Sequence, residues 1–266
     1  MSDTSDPARA IAILTQDAPP RVWSFIVTIF GDLAQGKDDA LSGRALARMA
    51  ETAGLRPETV RVALHRLRKD GWIESRRDGR QSHYALTAFG RSQSAAAAAR
   101  IYASHAPKVQ SWTILVGNPD RTDDTLSDVA SFADAVPLGN FGLLIPGEIP
   151  SGEDELLRLS ARDVSIPAWL RGSVCSEDVQ VAYRLLLEKL TRIEPMVGPG
   201  ATGLSGATLR ALLVHSWRRV LLRHPDLPPD LFPPGWCGEE CRASVMVLLG
   251  RLPRPALSAL EAEAVL

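Results

Sequence analysis

The stretch from Ser42 to Thr87 constrains this chain more than any other, because its helix stops and starts fall in a fixed order. Ser42 reads as an N-cap, and Leu46, Met49 and Ala50 then share one helical face up to Gly54, a residue suited to the left-handed position past a helix end. Leu55-Arg56 form a turn, and Pro57 and Glu58 suit the first turn of a second helix. Within that helix Val60, Ala63, Leu64 and Leu67 repeat at the spacing of a buried stripe, and Gly71 ends it. After Trp72, Ile73–Arg77 and Gln81–Leu86 read as strands joined at Asp78-Gly79, a strong hairpin signal. A helix, a tight turn, a basic helix and a basic hairpin in this order predict a winged helix-turn-helix.

Charge agrees with this reading. The whole chain carries a formal −1, yet from Gly43 to Arg91 eleven Lys and Arg face five Asp and Glu, a local +6 that leaves −7 on the remainder. A basic module on an acidic body is the electrostatic layout of a nucleic-acid binder with a separate regulatory part. The second helix of such a motif enters the major groove with its N-terminal half against base edges, which assigns Arg56, Thr59, Arg61 and His65 to the bases. An arginine fork matches guanine O6 and N7, and a threonine meets a thymine methyl or a phosphate. Arg66, Arg68 and Lys69 are expected on phosphates, and Arg76, Arg77 and Arg80 of the hairpin along the backbone or in the minor groove.

Around this module, residues 1–19 read as a flexible arm and Val22–Leu33 as a first helix. Thr87–Ser104 is a Ser/Ala-rich connector helix, closing a DNA-binding domain over 20–104. Strand-like runs at Ser111–Gly117 and Phe141–Pro146, with a helix expected over Asp123–Val136 between them, suggest a small α+β domain over 107–172. From 173 to 266 the pattern is helical: Val179–Ile193, Leu209–His224 and Glu239–Leu252, with a Gly-rich loop at 197–206 read as a flexible linker. That loop matches neither phosphate-binding glycine pattern. The fold class expected is therefore α+β.

No run of 18 apolar residues exists, and the acidic opening MSDTSDPARA lacks a basic n-region, so a cytoplasmic location is expected. Three cysteines, Cys175, Cys237 and Cys241, make no disulfide framework, and the four-residue spacing of the last two lacks a second ligand pair for zinc. Neither a metal nor a cofactor is expected. In the last third, His215, Arg218, Arg219 and Arg223 fall within just over two helical turns, with His215, Arg219 and Arg223 four apart on one face. Such a cationic stripe suits the phosphates of a coenzyme A, and equally the acids of the body or a dimer partner.

Several blocks resemble the PaaX-type repressor family: Ser24-Phe-Ile-Val-Thr-Ile-Phe-Gly-Asp32, Thr59–Trp72, Gly79–Thr87, Leu213–Pro225, Leu227-Pro and Leu231–Gly238, in family order from about residue 20 to 250. The resemblance implies an N-terminal winged helix, a central ferredoxin-like domain similar to Cas2 proteins and a C-terminal helical domain. It further implies a homodimer on a palindromic operator, repressing phenylacetate catabolism genes and released by phenylacetyl-coenzyme A. Two departures bear on the effector. His215-Ser-Trp-Arg-Arg219 stands where the family reads His-Glu-Tyr-Arg-Arg, and His224 stands at a usual aspartate, so a different acyl-CoA or another aromatic catabolite stays open. The expectation is a non-enzymatic regulator. The alternative is a metal-dependent nuclease built on the Cas2-like domain, for which Asp120, Asp123 and Asp124 supply acids. A protein that uses its winged helix only for protein contacts is a third reading, and the +6 module argues against it.

Overall fold

The computed structural model describes residues 5–79, 81–118, 126, 134–149 and 156–265. Two compact units divide the chain, the first formed by Met1–Ser104, Leu185–Leu221 and Glu240–Leu266, the second by His105–Arg184 and Leu222–Glu239. Helices and two small antiparallel sheets make up a mixed α+β architecture.

The first unit begins with α1 (Pro7–Thr15), where the sequence suggested a loose arm. Asp6 caps it by accepting from the Arg9 amide at 3.0 Å, and Pro7 sits in the first turn. Ala10, Ile11, Ile13 and Leu14 are buried, so a 9-residue helix persists because its apolar side is covered. Helix α2 (Val22–Leu33) is apolar around most of its circumference, and Phe25, Ile26, Ile29 and Phe30 are fully buried.

A two-residue strand β1 (Leu41–Ser42) leads into α3 (Gly43–Thr52), whose cap is the Ser42 hydroxyl accepting from the Ala45 amide at 3.1 Å. The turn after α3 needs Gly54, whose φ of +79° lies where a side chain would strain the backbone. There Leu55 donates its amide back to the Ala50 carbonyl at 2.8 Å. Helix α4 (Pro57–Lys69) buries Val60, Ala63, Leu64 and Leu67. Strands β2 (Ile73–Asp78) and β3 (Gln81–Leu86) pair antiparallel from Ile73 opposite Leu86 to Asp78 opposite Gln81, and β1 adds to the other edge of β3. Helix α5 (Ala88–Ile101) starts under a Thr87 cap. At Gly90 a Cβ would stand 2.2 Å from the Trp72 carbonyl oxygen, so only glycine lets α5 approach the end of α4 so closely.

The second unit holds a four-stranded antiparallel sheet in the order β5 (Val136–Pro137), β6 (Gly142–Pro146), β4 (Trp112–Val116), β7 (Leu157–Ala161). Leu115, Leu143, Ile145 and Leu156 form its core with Leu126 and Ala135. The helix expected over 123–136 falls largely outside the described residues, and Val136 itself belongs to β5. Helix α6 (Ala168–Val174) follows the sheet. His224 sits in an aromatic box where the Tyr183 hydroxyl donates to its Nε2 at 2.6 Å, its Nδ1 donates to the Pro225 carbonyl at 2.7 Å, and the Phe232 ring lies 4.9 Å away. That box gives the residue standing at the family's aspartate a packing role.

The remaining helices are α7 (Glu177–Ile193), through which the division between units runs, α8 (Gly203–Leu221), α9 (Gly238–Arg251) and α10 (Leu257–Val265). Part of the segment read as a flexible linker over 197–206 is helical, since α8 already begins at Gly203. The Leu204 amide there donates to Glu263 Oε2 at 2.7 Å, a cap supplied from 59 positions away and so invisible in the local pattern. Within the first unit α8 packs against α1, α2 and α3. A buried carboxylate binds these elements together. Asp32 accepts from Arg210 Nε and Nη2, each at 2.8 Å, from the Tyr102 hydroxyl at 2.7 Å and from Arg254 Nε at 3.2 Å.

Candidate nucleic-acid interface

Helix α4 is strongly two-sided. Its buried stripe fixes its rotation, and that rotation leaves Arg56, Thr59, Arg61, His65, Arg66, Arg68 and Lys69 all exposed. The capping pattern places charge by sign, with Glu58 in the first turn and Arg66, Arg68 and Lys69 in the last. Arg66 reaches Asp70 at 3.6 Å, and Arg68 donates to the Ser75 hydroxyl of β2 at 3.4 Å. Arg56 and Arg61 make no ion pair among the described residues. The Thr59 hydroxyl donates to the Arg56 carbonyl at 2.5 Å, which spends its one proton and leaves its two lone pairs to accept.

On the hairpin, Arg76 and Arg77 are exposed, and Arg76 stands 3.7 Å from Glu74, a contact too open to fix it. Arg80 lies outside the described residues. Sequence reasoning passed over Val62, which is 71% exposed between Arg61 and Ala63. The signal was there: an aliphatic residue outside the buried stripe of a basic helix offers apolar contact that a thymine methyl can use.

Of the four residues grouped by spacing, His215, Arg218 and Arg219 lie on α8 and Arg223 lies past its end, and they do not form one stripe. His215 is buried against Phe25, with Nδ1 3.3 Å from the Thr28 hydroxyl; burial, then Arg218 and Arg219, pushes its pKa down to about 3, so it is neutral. Arg218 donates to the Thr28 hydroxyl at 2.9 Å, Arg219 is exposed, and Arg223 is paired with Asp178 in the second unit. Other arginines serve as struts. Arg242 donates to the Ala103 carbonyl at 3.0 Å and lies over the Trp217 ring, while the Trp217 indole donates to the Ile101 carbonyl at 3.0 Å. These contacts occupy carbonyls at the end of α5.

Among the described residues no group of three His, Cys, Asp or Glu side chains could hold a metal ion, and Asp120, Asp123 and Asp124 lie outside them. None of the three cysteines forms a disulfide, and burial, with Asp178 adding, pushes the Cys175 thiol up to about 11, far from thiolate reactivity. No helix among the described residues is long and apolar enough to cross a membrane.

Comparison with known proteins places this geometry. The family model described as PaaX-like protein matches residues 21–90, and that described as PaaX-like protein C-terminal domain matches 176–262, together more than half of the chain. The chain is 25% identical over 260 residues to the transcriptional repressor PaaX of Escherichia coli (strain K12), a match covering 88% of this chain and 81% of that protein. Among solved structures it is similar in fold to the uncharacterized protein Rv0674 from Mycobacterium tuberculosis, with a TM-score of 0.52 and 20% identity over 91% of this chain and 97% of the other. With both family segments matched in order, one carrying the exposed basic helix and the other the helices that buttress it, the chain belongs to the PaaX-like family.

Proposed function

We infer that the protein is a DNA-binding transcriptional repressor. In this reading α3, α4 and the β2–β3 hairpin act as a winged helix-turn-helix, and a small effector controls its release. The observation that carries the reading is the outward face of α4: every apolar stripe residue is buried while Arg56, Arg61, His65, Arg66, Arg68 and Lys69 are exposed together, continuous in sequence with the exposed Arg76 and Arg77 of the hairpin. The similarity to a transcriptional repressor supports it.

In this mechanism α4 lies in the major groove with Arg56, Arg61 and His65 toward base edges and Thr59 and Val62 offering methyl contact. Arg66, Arg68, Lys69, Arg76, Arg77 and Arg80 neutralise phosphates, supplying affinity without sequence information. Two copies reading a palindrome would present their α4 helices about 34 Å apart, and an effector that favours another spacing would release the operator. A phenylacetyl-CoA-type effector, homodimerisation, a central ferredoxin-like domain over 107–172 and a C-terminal helical domain over 173–266 belong to the same proposal, as does action in the cytoplasm.

Gel shifts on the protein's own promoter at two salt concentrations, with and without phenylacetyl-CoA, test it. Affinity that falls steeply with salt and is lost with phenylacetyl-CoA supports both the interface and the effector. Salt-sensitive binding that ignores phenylacetyl-CoA keeps the repressor and discards that ligand, and no binding at low salt removes the repressor reading.

A further inference from the structure

The first unit contains a cleft away from the basic face of α4. It opens among α2, α5 and α8, encloses about 380 Å³ of empty space including its mouth, and is lined by Thr28, Trp72, Ser94, Tyr102, Val214 and Arg218 among others. Apart from Gln93, its remaining wall is small or apolar, with Val27, Ala97 and Ile101.

Two polar groups in this cleft are left unspent. Arg218 is half-buried, and its one hydrogen bond runs to the Thr28 hydroxyl at 2.9 Å, with no carboxylate within ion-pairing distance among the described residues. A guanidinium has five N–H donors, so most of its capacity is open. The Ser94 hydroxyl is buried without a hydrogen-bond partner. Elsewhere in the unit Arg210 and Arg254 pair with Asp32, and Arg251 with Glu194. Arg218 has no such acid among the described residues, and burial already disfavours its charge. A desolvated cation lacking an acid, beside an unpaired hydroxyl in an apolar cleft, is a site awaiting an anion.

We propose that this cleft binds a small monocarboxylic acid with an apolar body of about one aromatic ring, its carboxylate held by Arg218 and Ser94 and its body against Trp72. The charge of Arg218 selects the anion, and the aliphatic wall and indole select the body. A coenzyme A thioester has lost the carboxylate that Arg218 and Ser94 would hold, so the occupant is the free acid. Trp72 follows α4 directly and meets Trp23 and Phe89 edge-on, each with centroids 5.6 Å apart, so the bound acid touches the residue that closes α4. The site itself does not depend on the DNA-binding reading.

The test is calorimetric titration of the full chain, without DNA, using benzoate and its uncharged analogue benzamide as probes. Saturable benzoate binding, at least tenfold tighter than benzamide, is expected. Arg218→Met, with unchanged circular dichroism, should weaken benzoate at least tenfold and leave benzamide alone; Ser94→Ala should weaken benzoate a few-fold, and serves as the variant if Arg218→Met does not fold. Equal affinity for the two probes, absence of saturable benzoate binding at tens of millimolar, or undiminished binding by both variants would overturn the site. Salt-dependent DNA binding by the ligand-free protein is measured separately, so the failure of one reading is not taken for the failure of the other.

Discussion

Single residues decide two properties of this protein. Asp32 is fully surrounded by donors, and its partner Arg210 is itself buried. Removing one member of a buried pair leaves the other charge unsolvated, which typically costs 3–5 kcal/mol. Asp32→Ala should therefore lower the urea-unfolding free energy by about that much, more than Arg254→Ala, whose side chain is half exposed. Similar losses for both would show that the network is not centred on Asp32. His215 sets a pH dependence. Its folded pKa is depressed to about 3 while the unfolded chain keeps the ordinary value of 6.5. Below 6.5 the unfolded state binds a proton the folded state refuses, so stability is fully present above pH 6.5 and falls with pH toward 3. The limiting slope is about 1.4 kcal/mol per pH unit, so from pH 6.5 to 5 unfolding should become easier by up to about 2 kcal/mol. In His215→Phe that part of the slope should vanish, and a slope unchanged from the parent would assign it to other groups.

At the scale of elements, legibility followed locality. The edges of α2, α4 and β3, the Ser42 cap and the stop at Gly54 lay in the sequence because caps, turns and stripes are set by neighbours a few positions apart. The outward face of α4 was legible for the same reason, as the complement of its stripe. Elements whose support comes from far away were not. Helix α1 is too short to announce itself and survives by packing on α8, and the first turn of α8 relies on Glu263. The grouping of His215 with Arg219 and Arg223 used helical spacing alone. Spacing does not tell a buried face from an exposed one on a helix that is covered along most of its length, nor reveal the Asp178 that takes Arg223. The stripe of α1 gives a direct prediction. Ile13→Ala, at a position 7% exposed, should cost about 2–5 kcal/mol in urea unfolding, whereas a freely frayed arm would register no change.

At the scale of the molecule, the segment that carries the basic helix does not own its core. Residues up to Ser104 share one compact unit with 185–221 and 240–266. Helix α2 is buried on nearly every side partly because α8 lies against it, and Asp32 at its end needs Arg210 from 178 positions away. The end of α5 leans likewise on Trp217 and Arg242. A fragment of residues 1–104 would expose the faces of α1 and α2 that α8 covers and leave Asp32 without either arginine. Such an exposed apolar face and uncompensated carboxylate exceed what a small domain's net stability, on the order of 5–10 kcal/mol, tolerates. The fragment should therefore lack a cooperative urea transition and bind DNA at least tenfold more weakly than the full chain at equal salt. In the full chain, DNA binding and the far-ultraviolet helical signal should be lost at the same urea concentration. A 1–104 fragment that unfolds cooperatively and binds DNA like the parent would show that the C-terminal helices merely rest on an autonomous module. Weak binding rescued by adding 185–266 in trans would show instead that these helices complete the core on which α4 is held.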